Sequence, residues 1–297
     1  MELNQLCKLF IKSIKKSGLE RRPNLLGYLA QNGYLSCLIY MHEIGAKWKE
    51  DVIENALSNN DFKTAKYAID NGCSWDNRTC LQFSMKYNCL EALKYFHESG
   101  SKNWYELTCT SVVEKGSLEC LTYAHERGCP FDYESCDVSA RYGQLECLKY
   151  IHEHGGSWTS VTCDEAAENG HVECLKYAVD NGCQCLSSAY VECAKNGHLR
   201  VMQYMYENTS VRWPNNACYT AAQNNHMDCL KYAYDHDAPF NDRTEVHACQ
   251  TTECLQFMHD AGYGWNDYWC DQTDRKSRMF SQYAHEQDWC KFCRFKK

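Results

Sequence analysis

The sequence lacks any long apolar run, any excess of positive charge and any common catalytic motif. No stretch is long enough to span a bilayer, and Lys8 and Lys12 interrupt the apolar residues near the start, so we expect no membrane segment and no secretory leader. The net charge of −8 disfavours nucleic acid as a partner, because neutralising phosphates requires a basic face. There is no glycine-rich phosphate loop, no HExxH and no nucleophile elbow. These absences predict an intracellular, cytoplasmic protein that is not an enzyme and holds no cofactor.

What the sequence does contain is an internal repeat. The phrase Gly143-Gln-Leu-Glu-Cys-Leu-Lys-Tyr150 returns as Gly170-His-Val-Glu-Cys-Leu-Lys-Tyr177. Its first position, which we call the turn column, is occupied along the chain by Gly33, Asn60, Asn88, Gly116, Gly143, Gly170, Gly197 and Asn225. The last four glycines are 27 residues apart, and the two asparagine neighbours of that run are 28 away. A period of 27–28 residues over about nine units indicates a repeat protein.

Each unit reads as two helices joined at the turn column. In one copy the first helix is predicted from Asp164 to Glu168 and the second from His171 to Asp180. Cys174 and Ala178 fall on one stripe of the second helix, which is typical of a helix buried on one face. Glycine, or asparagine as its best substitute, supplies the left-handed turn. Threonine is the predicted N-cap of the first helix, at Thr79, Thr108 and Thr162. The expected fold is therefore an all-α solenoid of stacked helix-turn-helix repeats.

The segment Ala166-Ala-Glu-Asn-Gly-His-Val-Glu-Cys-Leu-Lys-Tyr177, closed by Asn181-Gly182, resembles the middle of an ankyrin repeat. The usual Thr-Pro-Leu-His opening and the projecting hairpin are absent or shortened, which makes these units shorter than the usual 33 residues. The short form, rich in cysteine and tryptophan, is similar to repeat proteins of large DNA viruses of amoebae, which implies a viral origin. We divide the chain into an N-terminal helical cap (1–26), the repeat stack (27–265) and a degenerate C-terminal repeat or cap (266–297).

Most of the 22 cysteines fall into three columns of the repeat. A second-helix column, a loop column after the closing glycine and a first-helix column contain, respectively, Cys37, Cys120, Cys147, Cys174, Cys229 and Cys254; Cys73, Cys129 and Cys183; and Cys80, Cys109, Cys136, Cys163 and Cys218. The second-helix column also accepts Ala65, Ala92 and Val201, so we interpret its cysteines as small, buried and reduced packing residues. Regular disulfides or metal sites would require columns that vary together, and these columns do not.

Two further columns contain aromatic rings and histidines. The aromatic column (Trp48, Trp75, Trp104, Phe131, Trp158, Trp213, Phe240, Trp265) is interrupted by Cys185, and we predict that its rings cover the seams between units. Histidines recur late in the second helix (His42, His97, His125, His152, His259) and in the turn (His171, His198, His226). We interpret them as structural hydrogen-bonding braces, since no carboxylate or hydroxyl is seen to recur beside the second-helix histidines as in a triad.

The last segment leaves the repeat register and holds one candidate metal site. Cys290 and Cys293 form a CxxC, with Cys270 and His285 as further zinc ligands. A CxxC also arises by chance in a chain this rich in cysteine, so a capping helix without metal is the preferred interpretation.

These patterns together predict a monomeric protein that binds a partner protein. In ankyrin-like stacks the concave face is lined by exposed first-helix positions, which implies the partner-binding residues Arg141, Tyr142, Glu165, Glu168, Glu192, Lys195 and Gln223 here. If the origin is viral, the partner is a host protein. Two alternatives stay open: a structural component of a particle or scaffold, and an adaptor that recruits a second protein through its C-terminal segment.

Overall fold

The computed structural model describes residues 8–9, 12–13, 25–100, 104, 108–239, 249–262, 275–287 and 289. Within these ranges the chain forms helices and turns and no β-strand. The helices are α1 Leu25–Gln31, α2 Leu35–Glu43, α3 Val52–Ser58, α4 Phe62–Asp70, α5 Asn77–Lys86, α6 Leu90–Ser99, α7 Thr110–Val113, α8 Leu118–Glu126, α9 Ser135–Arg141, α10 Leu145–Glu153, α11 Ser160–Glu168, α12 Val172–Asp180, α13 Ser188–Asn196, α14 Leu199–Asn208, α15 Ala217–Gln223, α16 Met227–Asp235, α17 Thr252–Asp260 and α18 Arg275–Glu286.

Odd- and even-numbered helices up to α16 are the first and second members of successive repeats. Eight complete pairs, from α1–α2 to α15–α16, lie within the described ranges, and α17 and α18 follow. At all eight turns the turn-column residue has a positive φ, between 52° and 77°. Asparagine tolerates this conformation better than other residues with side chains, which explains its presence at three of the eight turns. The predicted all-α helix-turn-helix repeat fold is confirmed.

The chain divides into two compact units, which we describe separately. The first comprises Met1–Ser135 and Glu146–Ser157, and the second Cys136–Leu145 and Trp158–Lys297. In the first unit α1, α3, α5 and α7 pack in order as a layer of first helices, and α6 packs on α8 in the layer of second helices. In the second unit the layers are α11, α13, α15 and α12, α14, α16. Each core lies between two such layers, where every repeat contacts its neighbours.

The pair α11–α12 shows how the sequence pattern produces this core. Cys163, Ala166 and Ala167 of α11 are buried, and so are Cys174 and Leu175 of α12. Small side chains on the first helix allow the neighbouring first helices to approach closely, while leucine fills the space between the layers. The stripe predicted for the second helix is therefore confirmed.

The start of the first helix differs from the prediction. Helix α11 begins at Ser160, four residues before the predicted start at Asp164, and its N-cap is Thr159. Thr162 lies in the first turn as the reciprocal partner of Thr159 in a capping box. Thr79 likewise lies inside α5, whose N-cap is Asp76.

Thr108 precedes Cys109, the N-cap of α7. The predicted threonine caps at positions 79, 108 and 162 are thus wrong, because the helices that contain two of them begin earlier and the third begins later.

The ends of the chain fall largely outside the described ranges. Residues 8–9 and 12–13 are helical, and the first complete helix begins at Leu25, close to the predicted boundary at 26/27. The boundaries at 26/27 and 265/266 remain predictions. No helix among the described residues is long and apolar enough to cross a membrane.

Candidate functional site

The predicted partner-binding residues all lie in the second unit, and most of them lie at the C-terminal ends of its first helices. They are Arg141 at the end of α9 and Tyr142 just after it, Glu165 and Glu168 in α11, Glu192 and Lys195 in α13, and Gln223 at the end of α15. Tyr142 is 44% exposed and Gln223 is exposed. We call these seven residues the first-helix surface.

Arg141 and Glu165 connect two neighbouring first helices. Arg141 Nε donates to Glu165 Oε2 at 2.8 Å, and Arg141 Nη2 donates to Oε1 at 2.6 Å. The Arg141 side chain is 45% exposed, while Glu165 is only 15% exposed. A two-point contact fixes the guanidinium plane, so this cation is held in one orientation at the surface.

Lys195 forms a second charged group with two carboxylates. Its Nζ lies 2.9 Å from Glu192 Oε2 on the same helix and 3.5 Å from Glu168 Oε1 on the preceding first helix. These carboxylates raise the pKa of the Lys195 ammonium. Lys195 and Glu168 are 48% and 44% exposed, so both present charge to solvent. Opposite charges therefore alternate along the first-helix surface.

Polar bonds beneath this surface tie the first helices together. Thr162 Oγ1 donates to the buried Asp137 carboxylate at 2.5 Å, and Ser188 Oγ donates to Asp164 at 2.8 Å. Each bond joins a first helix of the second unit to the next one. Burial raises the pKa of Asp164. Because these groups are within or next to the core, the helices that carry the first-helix surface are held in fixed register.

The turn histidines also join one repeat to the preceding one. Nε2 of His171 donates to the Arg141 carbonyl at 3.1 Å, that of His198 to the Glu168 carbonyl at 2.9 Å, and that of His226 to the Lys195 carbonyl at 3.0 Å. Each carbonyl is near the end of a first helix, where no intrahelical donor remains. The predicted bracing role of these three histidines is confirmed.

The same contacts explain why the turn before each of these histidines is glycine. A Cβ on Gly170 would lie 2.7 Å from Nδ1 of His198, and Gly143 and Gly197 face His171 and His226 in the same way. At Asn225 the next repeat offers Thr251 instead, whose Oγ1 donates to the Asn225 side chain at 3.0 Å. The choice between glycine and asparagine thus follows from the next repeat as well as from the local φ.

The second-helix histidines show a pairing that the sequence analysis missed. Nδ1 of His42 lies 3.2 Å from the Tyr67 hydroxyl, that of His97 3.3 Å from Tyr123, and that of His125 3.1 Å from Tyr150.

The statement that no hydroxyl recurs beside these histidines is therefore wrong. The hydroxyl comes from the next repeat, 25 or 26 residues later, and the signal was the tyrosine that ends the recurring phrase. A histidine and a tyrosine next to a third ring form a packed cluster, which supports a bracing role.

The aromatic column supplies that third ring. Trp48 stacks on His42 with centroids 4.5 Å apart, and Trp104 stacks on His97 at 4.4 Å. Their indole N–H groups donate to the carbonyls of Asn71 and Arg127 in the next repeat, at 2.8 and 3.0 Å. For these two tryptophans the predicted seam role is confirmed. Phe131 stacks on His125 at 4.2 Å without a donor.

All cysteines of the three columns are buried. So are Ala65, Ala92 and Val201, the residues that replace cysteine in the second-helix column. Burial of the whole column agrees with its interpretation as a packing position. That the cysteines are reduced remains a prediction.

Several predicted positions lie outside the described residues: Phe240, Trp265, Cys270, Cys290 and Cys293. His285 is in α18. The zinc site proposed from these residues therefore stays a prediction. Among the residues that the structure does describe, no group of three or more His, Cys, Asp or Glu side chains is placed to hold a metal ion.

The fold and this surface define a helix-turn-helix repeat protein with a charged first-helix face. No protein-family model matches the sequence, and no curated protein matches it. Among solved structures, the chain is similar to the human ASB11 ankyrin repeat domain, with 18% sequence identity and a TM-score of 0.46. The match covers 58% of this chain and 89% of that one. The repeat architecture stated above rests on the helices and turns of this chain.

Proposed function

We propose that the protein is a non-catalytic recognition module that binds a partner protein through the first-helix surface. The observation that carries the proposal is the row of paired charges, Arg141–Glu165 and Glu168–Lys195–Glu192, on consecutive first helices of one unit. These pairs lie on helices whose cores and buried polar bonds fix their spacing. A surface of this kind is preorganised, which lowers the entropy lost on binding.

The chemistry of the surface favours a polar partner with charges of both signs. Arg141, Lys195 and Glu168 are each close to half exposed, so each can add a contact to a partner without leaving its present one. Tyr142 is the exposed ring nearest Arg141 in sequence and can act as an anchor, since tyrosine combines large contact area with a hydroxyl. Charge patterns set orientation and association rate more than total affinity.

The family resemblance of the repeat extends this proposal in two ways. Ankyrin repeats present the concave side of their stack, lined by first helices, to partner proteins, and we place the interface on the corresponding face here. The similarity to short repeat proteins of large DNA viruses of amoebae makes a host protein the proposed partner. We further propose that the chain acts as a monomer within the cytoplasm.

A charge swap tests the proposal more sharply than a single reversal. In the double variant Arg141→Glu, Glu165→Arg the internal ion pair is kept while the charges offered to a partner are inverted. We expect this variant to fold and to lose one specific partner in affinity capture from host cells. The matched control is Lys231→Glu, Glu253→Lys, which swaps an exposed pair of α16 and α17 with Nζ–Oε1 distance 3.7 Å.

The readouts are capture, circular dichroism and a thermal melt for each double variant. The proposal requires loss of the partner in the first swap and its retention in the second, with both proteins folded. Equal capture by both folded variants would show that the first-helix surface is not the interface. The single reversals Glu168→Lys and Lys195→Glu then map how far the interface extends along α11 and α13.

A further inference from the structure

The cysteine columns meet at one place in the second unit. The Cys163 thiol of α11 donates to Cys183 Sγ at 3.5 Å, and it is also in hydrogen-bonding contact with the Cys185 thiol. Cys163 is fully buried and Cys183 nearly so, whereas Cys185 is only half-buried. Three thiols, graded from the core to the surface, are thus in contact through Cys163.

Cys185 is the residue that breaks the aromatic column. Two repeats earlier the equivalent positions are Cys109, Cys129 and Phe131. Cys109 is likewise in contact with Cys129, since its Sγ lies 3.4 Å from the Cys129 carbonyl. There, however, a ring that stacks on His125 occupies the place of the third thiol. The first unit therefore contains the buried pair without the accessible cysteine.

We propose that Cys163, Cys183 and Cys185 form a thiol-oxidation site in which Cys185 accepts the oxidant and a disulfide forms between Cys163 and Cys183. The oxidant is a low-molecular-weight disulfide such as oxidised glutathione. The two thiols need to approach by only about 1.5 Å to reach a sulfur–sulfur bond, so the change is local. A buried pair alone reacts slowly, because the attacking thiolate must meet the oxidant.

The reaction balances in three steps. The Cys185 thiolate attacks oxidised glutathione, which breaks its disulfide, forms a mixed disulfide and releases one glutathione thiolate. Cys163 then attacks the Cys185 sulfur while its proton passes to Cys183, and the second glutathione leaves as thiolate and takes up that proton. Finally the Cys183 thiolate attacks the Cys163 sulfur and frees Cys185. Two protein thiols are oxidised, and one glutathione disulfide is reduced to two thiols.

The hydrogen bonds of the pair agree with these roles. Accepting the bond from Cys163 lowers the pKa of the Cys183 thiol, and Cys183 Sγ is also 3.1 Å from the Thr159 carbonyl. Cys183 is therefore the sulfur that can hold negative charge in the last step. The product would join the first helix of a repeat to the loop after its second helix and so close that repeat covalently.

The test uses the full-length reduced protein and oxidised glutathione as the probe. Aliquots are quenched by alkylation over time, digested with trypsin and analysed by tandem mass spectrometry. Cleavage at Lys149, Lys176 and Lys195 places Cys163 and Cys183 in different peptides, so their disulfide gives a cross-linked species. The Cys109–Cys129 pair in the same sample is the internal control.

In the wild type we expect the Cys163–Cys183 link to form at least about tenfold faster than the Cys109–Cys129 link. Cys185→Phe, which copies the residue two repeats earlier, and the nearly isosteric Cys185→Ser should both slow it to the control rate. Cys183→Ala should trap glutathione on Cys185 or a Cys163–Cys185 link. Equal rates for the two pairs, or an unchanged rate in folded Cys185→Ser, would overturn the proposal.

Discussion

The two units solve the same turn in different ways. In the first unit the residue after the turn column is Asp61, Cys89 or Ser117, and two of the three are helix caps. Asp61 accepts from the Thr64 N–H at 3.0 Å, and Ser117 accepts from the Cys120 N–H at 3.3 Å. Both bonds stay within one helix. They satisfy a donor at its N-terminus and leave the neighbouring repeat untouched.

In the second unit the same position is His171, His198 or His226, and none of these side chains caps its own helix. Each instead donates to a carbonyl of the preceding repeat. A cap stabilises a single helix, whereas a brace adds to the interface term between repeats. In repeat proteins that interface term determines how cooperatively neighbouring repeats unfold. The difference teaches that equal turn geometry can serve unequal coupling.

The largest effect should come from the core leucines, which both units share. Leu121 and Leu175 are fully buried at equivalent positions of α8 and α12. Truncation to alanine should lower the free energy of unfolding by about 2–5 kcal/mol in each case, because methyl contacts are lost and a cavity is left. Denaturant unfolding measures this. If either variant lost less than about 1 kcal/mol, that position would not be part of the common core on which the comparison rests.

The next effect should separate the turn glycines from the closing glycines of the second unit. Gly170 and Gly182 have φ of 76° and 88°, so alanine at either is strained by roughly 1–2 kcal/mol. Only at Gly170 would the new Cβ also meet the His198 ring, while at Gly182 nothing lies within 4 Å. Gly170→Ala should therefore lower the free energy of unfolding by about 1 kcal/mol more than Gly182→Ala, the value of the displaced hydrogen bond.

A double-mutant cycle sharpens this result. In a His198→Ala background the additional loss from Gly170→Ala should disappear, because the ring that the Cβ would meet is gone. Persistence of the full difference in that background would show that His198 is not its cause.

A smaller effect should distinguish brace from cap directly. His198→Ala and Ser117→Ala should each lower the free energy of unfolding by about 1 kcal/mol, one hydrogen bond in either case. Their reach should differ. Hydrogen exchange should rise in both α11 and α14 for His198→Ala, since the bond joins the Glu168 carbonyl to the next repeat. For Ser117→Ala the rise should be confined to the start of α8, and a spread into neighbouring repeats would remove the proposed distinction.

The recurring phrase predicted more of the fold than of the contacts. Its 27-residue period, and glycine or asparagine at the turn, were enough for the helix pairs and the left-handed turns, because both depend on local chemistry. The start of α11 was missed because Thr162 has the residue type of a cap, while the cap itself, Thr159, stands one turn earlier.

The bonds between repeats were harder to predict. Tyr150 meets His125 only when two repeats stack, and a single unit of sequence does not show the relative position of their side chains. The first-helix surface was predicted as a set of residues, but its division into ion pairs depends on interhelical distances. Cys185 was recognised as an exception in its column, and only the structure shows that its thiol contacts Cys163.

The smallest effect should come from exchanging residues within the second-helix column. Cys174 in the second unit and Ala92 in the first unit occupy equivalent buried positions. Cys174→Ala removes one sulfur and should cost about 1 kcal/mol or less, because alanine already fits this column between similar helices. Ala92→Cys should cost slightly more, since it adds volume to a site packed around a methyl group. Cys174→Asp is the control for burial: an unpaired carboxylate there should destabilise the protein far more than either exchange. Denaturant unfolding of the three variants decides the point. If Cys174→Ala were as damaging as Leu175→Ala, the cysteine would have a role beyond packing, and the two units would differ in their cores as well as in their turns.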